Sequence, residues 1–137
     1  MTMTITLVDS NVLFDVLQRD PTWYDWSAKA VERAMSSGGV AINPVIYSEV
    51  SIGFERMEDF EEVLPPEAFQ RLELPWEAAF LAGKCYLRYK RKGGDRRSPL
   101  PDFYIGAHAV VSGLHLLTRD ATRYRTYFPK LKVTAPS

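Results

Sequence analysis

Short apolar segments that alternate with longer helical patterns constrain the fold of this chain most. Residues 3–8, 40–42 and 114–118 are short and rich in Val, Ile, Leu and Thr, which is typical of buried strands. Between them, apolar residues recur at helical spacing. Strands that alternate with helices indicate a parallel sheet covered on both faces. We therefore predict an α/β fold with three layers, α/β/α, around a short central parallel sheet.

The same patterns place the other elements. Helical segments are predicted at residues 11–18, 22–35, 45–54, 55–62, 77–91 and 101–111, and two small strands at 71–74 and 132–134. The charged stretch 90–98 is predicted to be a loop. Gly106 and Ala109 are small, so we expect the helix that carries them to lie close against the sheet.

Length and composition limit the class of protein. With 137 residues, of which 46% are hydrophobic, the chain suits one globular domain over residues 1–137. No apolar run approaches the roughly 18 residues that span a bilayer, so no membrane partner is expected. The first residues lack the cationic start and long apolar centre of a secretory signal. A single cysteine, Cys85, excludes an internal disulfide and favours a cytoplasmic location.

The charge is unevenly distributed although the net charge is zero. Residues 1–83 contain 5 basic and 14 acidic residues, whereas residues 84–137 contain 12 basic and 3 acidic residues. Such asymmetry within one chain indicates a charged partner.

Four acids are expected at one edge of the predicted sheet. Asp9 and Asp120 follow two of the strands, at the carboxyl edge where parallel sheets bind ligands. Glu49 and Asp102 lie near the starts of helices. Each acid alone could be a capping or solvated residue. Placed together, the four acids would repel one another. The repulsion energy of two carboxylates about 5 Å apart is roughly 3 kcal/mol at an effective dielectric of 20. Such a cluster must hold protons, meet cations or bind metal, and carboxylate oxygens suit Mg²⁺ or Mn²⁺.

In order and spacing, four segments resemble those of PIN-domain ribonucleases, and more narrowly the VapC-type toxin of VapBC toxin–antitoxin pairs. They are LVDSNVL at 7–13, NPVIYSE at 43–49, LPDFYIGAHA at 100–109 and LLTRD at 116–120. The resemblance implies a PIN-like fold and an Mg²⁺- or Mn²⁺-dependent endoribonuclease. It also implies a cognate antitoxin protein as partner, and it allows a homodimer.

The resemblance also assigns the site residues. The implied catalytic and metal-binding acids are Asp9, Glu49, Asp102 and Asp120, and the implied supporting residues are Ser10, Asn11 and Thr118. Asp9 and Asp102 are the pair expected to contact the metal directly. Two positions depart from the family pattern: Ser10 replaces a frequent threonine, and Arg123 stands where some relatives have an acid. The second departure leaves the number of metal ions open.

Basic residues near Asp102 are the expected RNA-binding set, because a phosphate backbone needs cations beside an acidic site. The candidates are Arg91, Lys92, Arg96, Arg97 and Arg119. Two other uses stay open: a solubilising loop, or a contact with an acidic tail of an inhibitor.

Other functions fit the sequence less well. A dehalogenase-type phosphatase needs a second acid two residues after the first, where this chain has Asn11. A receiver domain needs a lysine after a late strand, where this chain has Arg119 after Thr118. His108 and His115 are not spaced as a metal pair, and Cys85 is expected to be packed. The remaining alternative is a catalytically silent PIN-like module that binds RNA or protein.

Overall fold

A five-stranded parallel sheet lies at the centre of the molecule. The computed structural model describes residues 3–94 and 100–137. Its strands are β1 (Thr6–Val8), β2 (Val40–Ile42), β3 (Phe69–Arg71), β4 (His115–Leu117) and β5 (Val133–Thr134). Their order across the sheet is β3-β2-β1-β4-β5, and every neighbouring pair is parallel. Together with the flanking helices, this confirms the predicted three-layer α/β/α fold.

Seven helices occur in the described residues. They are α1 (Ser10–Leu17), α2 (Tyr24–Ser37), α3 (Pro44–Ser51), α4 (Met57–Val63), α5 (Trp76–Arg91), α6 (Leu100–Ser112) and α7 (Thr122–Tyr127). Two helix starts matter for function because they follow strands directly. Asp9 caps α1, and Asn43 caps α3 by accepting a hydrogen bond from the Ile46 backbone N–H at 2.9 Å. Such caps satisfy backbone donors that have no partner within the helix.

The strand register aligns the carboxyl ends of the central strands. Leu7 of β1 is paired with Ala41 on one side and with Leu116 on the other. Asp9, Asn43 and Thr118 each follow one of these strands. Three polar residues are therefore brought to the same edge of the sheet.

The observed elements differ from the predicted ones in a few places. Strand β1 begins at Thr6 rather than residue 3, and β3 lies two to three residues earlier than predicted. Helix α5 ends at Arg91, as the helical pattern predicted, and of the predicted loop 90–98 residues 95–98 lie outside the described residues. Helix α7 was not predicted. It is six residues long, too short to show a clear apolar period.

The core is formed by the central strands and the inner faces of the helices. Leu7, Ile42 and Leu116 are fully buried. A Cβ on Gly106 would lie 2.4 Å from the Phe128 ring, so the absence of a side chain at this position makes room for that ring. Among the described residues, no helix is both long and apolar enough to cross a membrane.

Candidate active site

A cleft of about 580 Å³ lies at the carboxyl edge of β1 and β4. Asp9, Asp102 and Asp120 border it, as do Tyr89 and Tyr124. The structure therefore brings together three of the four predicted acids. Their convergence follows from the topology, because β1 and β4 are neighbours in the sheet and α6 begins beside them.

Asp9 is held rigidly at the base of this cleft. Its side chain is only 3% exposed. Oδ1 accepts a hydrogen bond from the Ser10 backbone N–H at 2.8 Å. Oδ2 accepts one from Thr118 Oγ1 at 2.8 Å and one from the Tyr124 hydroxyl at 2.9 Å. All three partners are neutral, so within residues 3–94 and 100–137 the carboxylate is oriented without an ion pair of its own.

Asp102 lies in the first turn of α6 and is close to Asp9. The Tyr124 hydroxyl that donates to Asp9 is also 3.4 Å from Asp102 Oδ1. The other oxygen, Oδ2, accepts a hydrogen bond from Arg123 Nη1 at 2.6 Å. The Tyr124 hydroxyl thus lies between two carboxylates. The two carboxylates are close enough for the charge of Asp102 to act on Asp9.

Glu49 and Asp120 are connected to the cleft less directly. Ser10 Oγ donates a hydrogen bond to Glu49 Oε1 at 3.0 Å, which places this α3 side chain beside Asp9. Asp120 is exposed, and its Oδ1 accepts a hydrogen bond from the Thr122 backbone N–H at 3.2 Å at the start of α7. Asp120 therefore helps to begin this helix as well as bordering the cleft.

The predicted supporting residues join β1 to β4. Asn11 Nδ2 donates to Thr118 Oγ1 at 3.3 Å, and Asn11 Oδ1 accepts from the Arg119 backbone N–H at 3.1 Å. Thr118 in turn donates to Asp9. Because Asn11 fixes the Thr118 hydroxyl, it positions Asp9 through that hydroxyl.

Burial, with a smaller contribution from mutual repulsion, raises the pKa values of Asp9, Glu49 and Asp102. Burial, together with the charge of Asp102, raises the pKa of Asp9 from 3.8 to about 6. Burial also raises the pKa of Glu49, although its hydrogen bond from Ser10 opposes the change. For Asp102, burial raises the pKa and outweighs the lowering effect of Arg123. Burial raises the pKa of Tyr124 well above its usual value, so its hydroxyl remains a donor.

The carboxylate oxygens of the cleft are chemically suited to bind a divalent cation. Within residues 3–94 and 100–137, no three acidic, histidine or cysteine side chains are grouped closely enough to hold a metal ion together. Mg²⁺, however, commonly binds through one or two carboxylates and keeps several waters. Asp9 and Asp102 match this smaller set. Burial is the main cause of the raised pKa of each of these carboxyl groups, and a bound cation would offset the cost of burying their charge.

Two side chains that contact Asp9 or Asp102 had no role predicted from the sequence. Tyr124 contacts both Asp9 and Asp102, yet nothing in its local sequence distinguishes it from a packing residue. Arg123 was noted only as a departure from the family pattern. Its ion pair with Asp102 depends on how α7 packs against α6.

His108 has a structural role that the sequence did not indicate. It is buried in α6, and its Nδ1 lies 3.0 Å from Asn43 Nδ2. Burial lowers the pKa of His108, which favours the neutral ring. A neutral Nδ1 can accept a hydrogen bond from the Asn43 amide, and Asn43 caps α3, the helix that carries Glu49.

The predicted RNA-binding residues lie in different settings. Arg91 and Lys92 are exposed at the end of α5, whereas Arg96 and Arg97 lie outside the described residues. Arg119 Nε is 3.0 Å from Oδ2 of the buried Asp15, and its guanidinium lies over the Trp23 ring. Arg119 therefore has a structural partner that the sequence did not reveal.

The fold and cleft define an α/β protein with an acidic cleft at the carboxyl edge of a parallel sheet. The chain belongs to the PIN domain family, whose sequence profile matches residues 6–129. This finding agrees with the resemblance noted in the sequence. No curated protein matches the sequence.

Several solved structures share the fold at low sequence identity. VapBC2 from Rickettsia felis, bound to a DNA fragment from its promoter, has a TM-score of 0.74 and 17% identity, covering 97% of this chain and 99% of that chain. VapBC-1 from nontypeable Haemophilus influenzae has a TM-score of 0.72 and 18% identity, covering 96% and 97%. A toxin–antitoxin complex from Klebsiella pneumoniae has a TM-score of 0.69 and 22% identity, covering 96% and 98%. At these identities the likeness concerns the fold.

Proposed function

We propose that this protein is a divalent-metal-dependent endoribonuclease and the toxin of a type II toxin–antitoxin pair. The observation that carries the proposal is the buried Asp9 carboxylate, which shares the Tyr124 hydroxyl with Asp102 in an open cleft. Membership of the PIN domain family supports nuclease chemistry. The similarity to chains from VapBC and other toxin–antitoxin complexes supports the toxin role.

The reaction is hydrolysis of an RNA phosphodiester. Water adds to phosphorus, the bond to the leaving oxygen breaks, and no residue becomes covalently attached. A divalent cation, Mg²⁺ or Mn²⁺, supplies Lewis acidity and charge neutralisation at the phosphate. Asp9 and Asp102 would hold this cation, and Glu49 and Asp120 would contact it directly or through water. Ser10, Asn11 and Thr118 keep these acids in position.

The proposed partners follow from the same role. A cognate antitoxin protein would neutralise the nuclease, and exposed basic residues such as Arg91 and Lys92 are available for RNA or for an acidic antitoxin segment. We also propose that the chain pairs with a second copy of itself through the exposed face of α5, where Trp76 is 88% and Phe80 69% exposed.

A catalytically silent PIN-like module that binds RNA or protein is the second candidate. One observation favours it: Arg123 already neutralises Asp102 in the cleft. In a site that binds no metal, a guanidinium would supply the positive charge that a metal ion otherwise supplies to this carboxylate. The two candidates differ in whether RNA is cut when a divalent cation is supplied.

The decisive experiment compares Asp9→Asn and Asp102→Asn with the wild-type chain on a mixed RNA pool containing Mn²⁺ or Mg²⁺. We expect each variant to lose at least about a hundredfold in cleavage rate, because metal polarisation contributes several kcal/mol. Asp25→Asn is the matched control, since Asp25 is exposed on α2, outside the residues that border the cleft. Circular dichroism would confirm that each variant is folded.

The outcomes separate the two candidates. Metal-dependent cleavage that is lost in Asp9→Asn and kept in Asp25→Asn supports the nuclease. RNA binding by the wild-type chain without any product would favour the silent module. Undiminished cleavage by Asp9→Asn would contradict the assigned site.

A further inference from the structure

Arg123 is the cation that directly contacts a cleft acid in the described part of the chain. Its Nη1 is 2.6 Å from Asp102 Oδ2, and its guanidinium lies over the Tyr89 ring, 5.6 Å from the ring centre. Both Arg123 and Tyr89 border the cleft. Asp9, in contrast, accepts hydrogen bonds only from neutral groups among the residues that the structure describes. The positive charge of Arg123 is thus placed on one particular carboxylate.

This ion pair is more exposed on its acidic side than the ion pair between Arg119 and Asp15. Arg119 pairs with Asp15, a carboxyl side chain that is 2% exposed and lies outside the cleft. The Asp102 and Arg123 side chains are 31% and 37% exposed. Solvent can replace either partner at that exposure, so the Arg123–Asp102 contact is easily exchanged.

A divalent cation and a guanidinium would compete for Asp102. Both are attracted to the same carboxylate oxygen, and simultaneous occupation would bring two positive charges together. A guanidinium that leaves a carboxylate finds an equivalent partner in a phosphate, because its planar fork matches both groups. The acids of this cleft would repel an RNA phosphate, so a mobile cation at its rim is chemically useful.

We propose that Arg123 is the phosphate-binding residue of the cleft and that it exchanges partners. Without a divalent cation it pairs with Asp102; when Asp102 is engaged by the cation, the guanidinium binds the phosphate that is to be cut. The inference rests on the proposed nuclease function. It assigns a role in substrate binding to the arginine that stands where some relatives have an acid.

The exchange predicts opposite effects of Arg123→Gln on two measurements. Mn²⁺ alone, titrated calorimetrically into RNA-free protein, should bind about tenfold more tightly, because the competing guanidinium is gone. Single-turnover RNA cleavage at saturating Mn²⁺ should fall by about a hundredfold, because a cation that stabilises phosphoryl charge is lost. Arg123→Lys keeps the charge without the fork and should give intermediate values in both measurements.

Arg125→Gln is the matched control, because Arg125 is exposed on the same helix and is not among the residues bordering the cleft. It should leave Mn²⁺ affinity and cleavage unchanged. If Arg123→Gln binds Mn²⁺ no more tightly than the wild-type chain, or cuts RNA at the wild-type rate, the exchange is wrong. Weaker Mn²⁺ binding by Arg123→Gln would show that Arg123 keeps the acidic side chains in position. That result would also contradict the proposed exchange of partners.

Failure of the proposed function gives a different pattern. If Asp9→Asn is inactive while Arg123→Gln cuts RNA like the wild-type chain, the nuclease function is supported and the proposed exchange is contradicted. If the wild-type chain cuts no RNA at all, the nuclease falls. The Mn²⁺ titration then still decides whether Arg123 and the cation compete for Asp102.

Discussion

At the scale of single residues, the unusual feature is a buried carboxylate that has no counter-charge in the described part of the chain. Asp9 is oriented by Ser10, Thr118 and Tyr124, whose donors are neutral. Burial and the nearby charge of Asp102 raise its pKa to about 6. The arrangement favours binding of a cation or a proton over a free charge. An isolated protein therefore carries a cost at this position that a bound cation would offset.

Asp9→Asn should stabilise the protein when chelator is present. Since folding raises the pKa of Asp9 from 3.8 to about 6, the carboxyl favours the fold in its protonated form. Stability is therefore lost as the pH rises through about 6. Asparagine avoids this loss, so above pH 6 we expect the variant to be more stable by on the order of 2 kcal/mol. Urea denaturation in EDTA at pH 7.5 and pH 4 measures the difference, which should nearly vanish at pH 4. Lower stability of the variant at pH 7.5 would contradict the prediction.

At the scale of elements, a polar network centred on Asp15 connects helices at the carboxyl edge of the sheet. It is separate from the hydrogen bonds that hold Asp9. Asp15 of α1 accepts hydrogen bonds from Ser27 of α2 at 2.7 Å and from Arg119 after β4 at 3.0 Å. This network joins two helices to the turn between β4 and α7. Because the Asp15 carboxyl is buried, Arg119 is its essential counter-charge.

Arg119→Gln should lower stability whatever it does to RNA binding. It leaves the buried Asp15 with Ser27 as a neutral donor, and we expect a loss of about 2 kcal/mol, below the full cost of an unpaired buried charge because Arg119 is partly exposed. Urea denaturation measures it, and Asp15→Asn in the same chain should recover most of the loss. If stability is unchanged while RNA binding weakens, Arg119 serves the substrate and not the fold.

At the scale of the whole molecule, the exposed face of α5 is suited to self-association. Trp76, Phe80 and Leu87 share one side of this helix and are 88%, 69% and 41% exposed. Gly83, between them, has open space around it. Two copies of α5 packed antiparallel about Gly83 would bring Phe80 opposite Leu87. The single-domain assignment over residues 1–137 stays a prediction at this scale.

The antiparallel arrangement also places Glu77, in the first turn of α5, opposite Lys90 in the last turn of the second copy. Glu77→Lys should therefore weaken the dimer about tenfold or more, because like charges replace an attractive pair at both ends. Lys90→Glu added to the same chain should restore it. Sedimentation equilibrium measures both. A chain that is monomeric at every concentration, or a double variant that does not recover, would contradict this surface.

The sequence by itself determined which segments become strands and helices and that acids follow the strands. Those features are local: β1 and β4 are short apolar runs, Asp9 comes directly after β1, and Asp120 lies three residues after the end of β4. Even so, β3 was misplaced and α7 missed, because short elements depend on pairing and packing more than on pattern. Only the tertiary structure decided what the acids contact. The Tyr124 hydroxyl reaches Asp9, Arg123 reaches Asp102 and Arg119 reaches Asp15. These contacts join positions that are 21 to 115 residues apart, and no local pattern carries such separations.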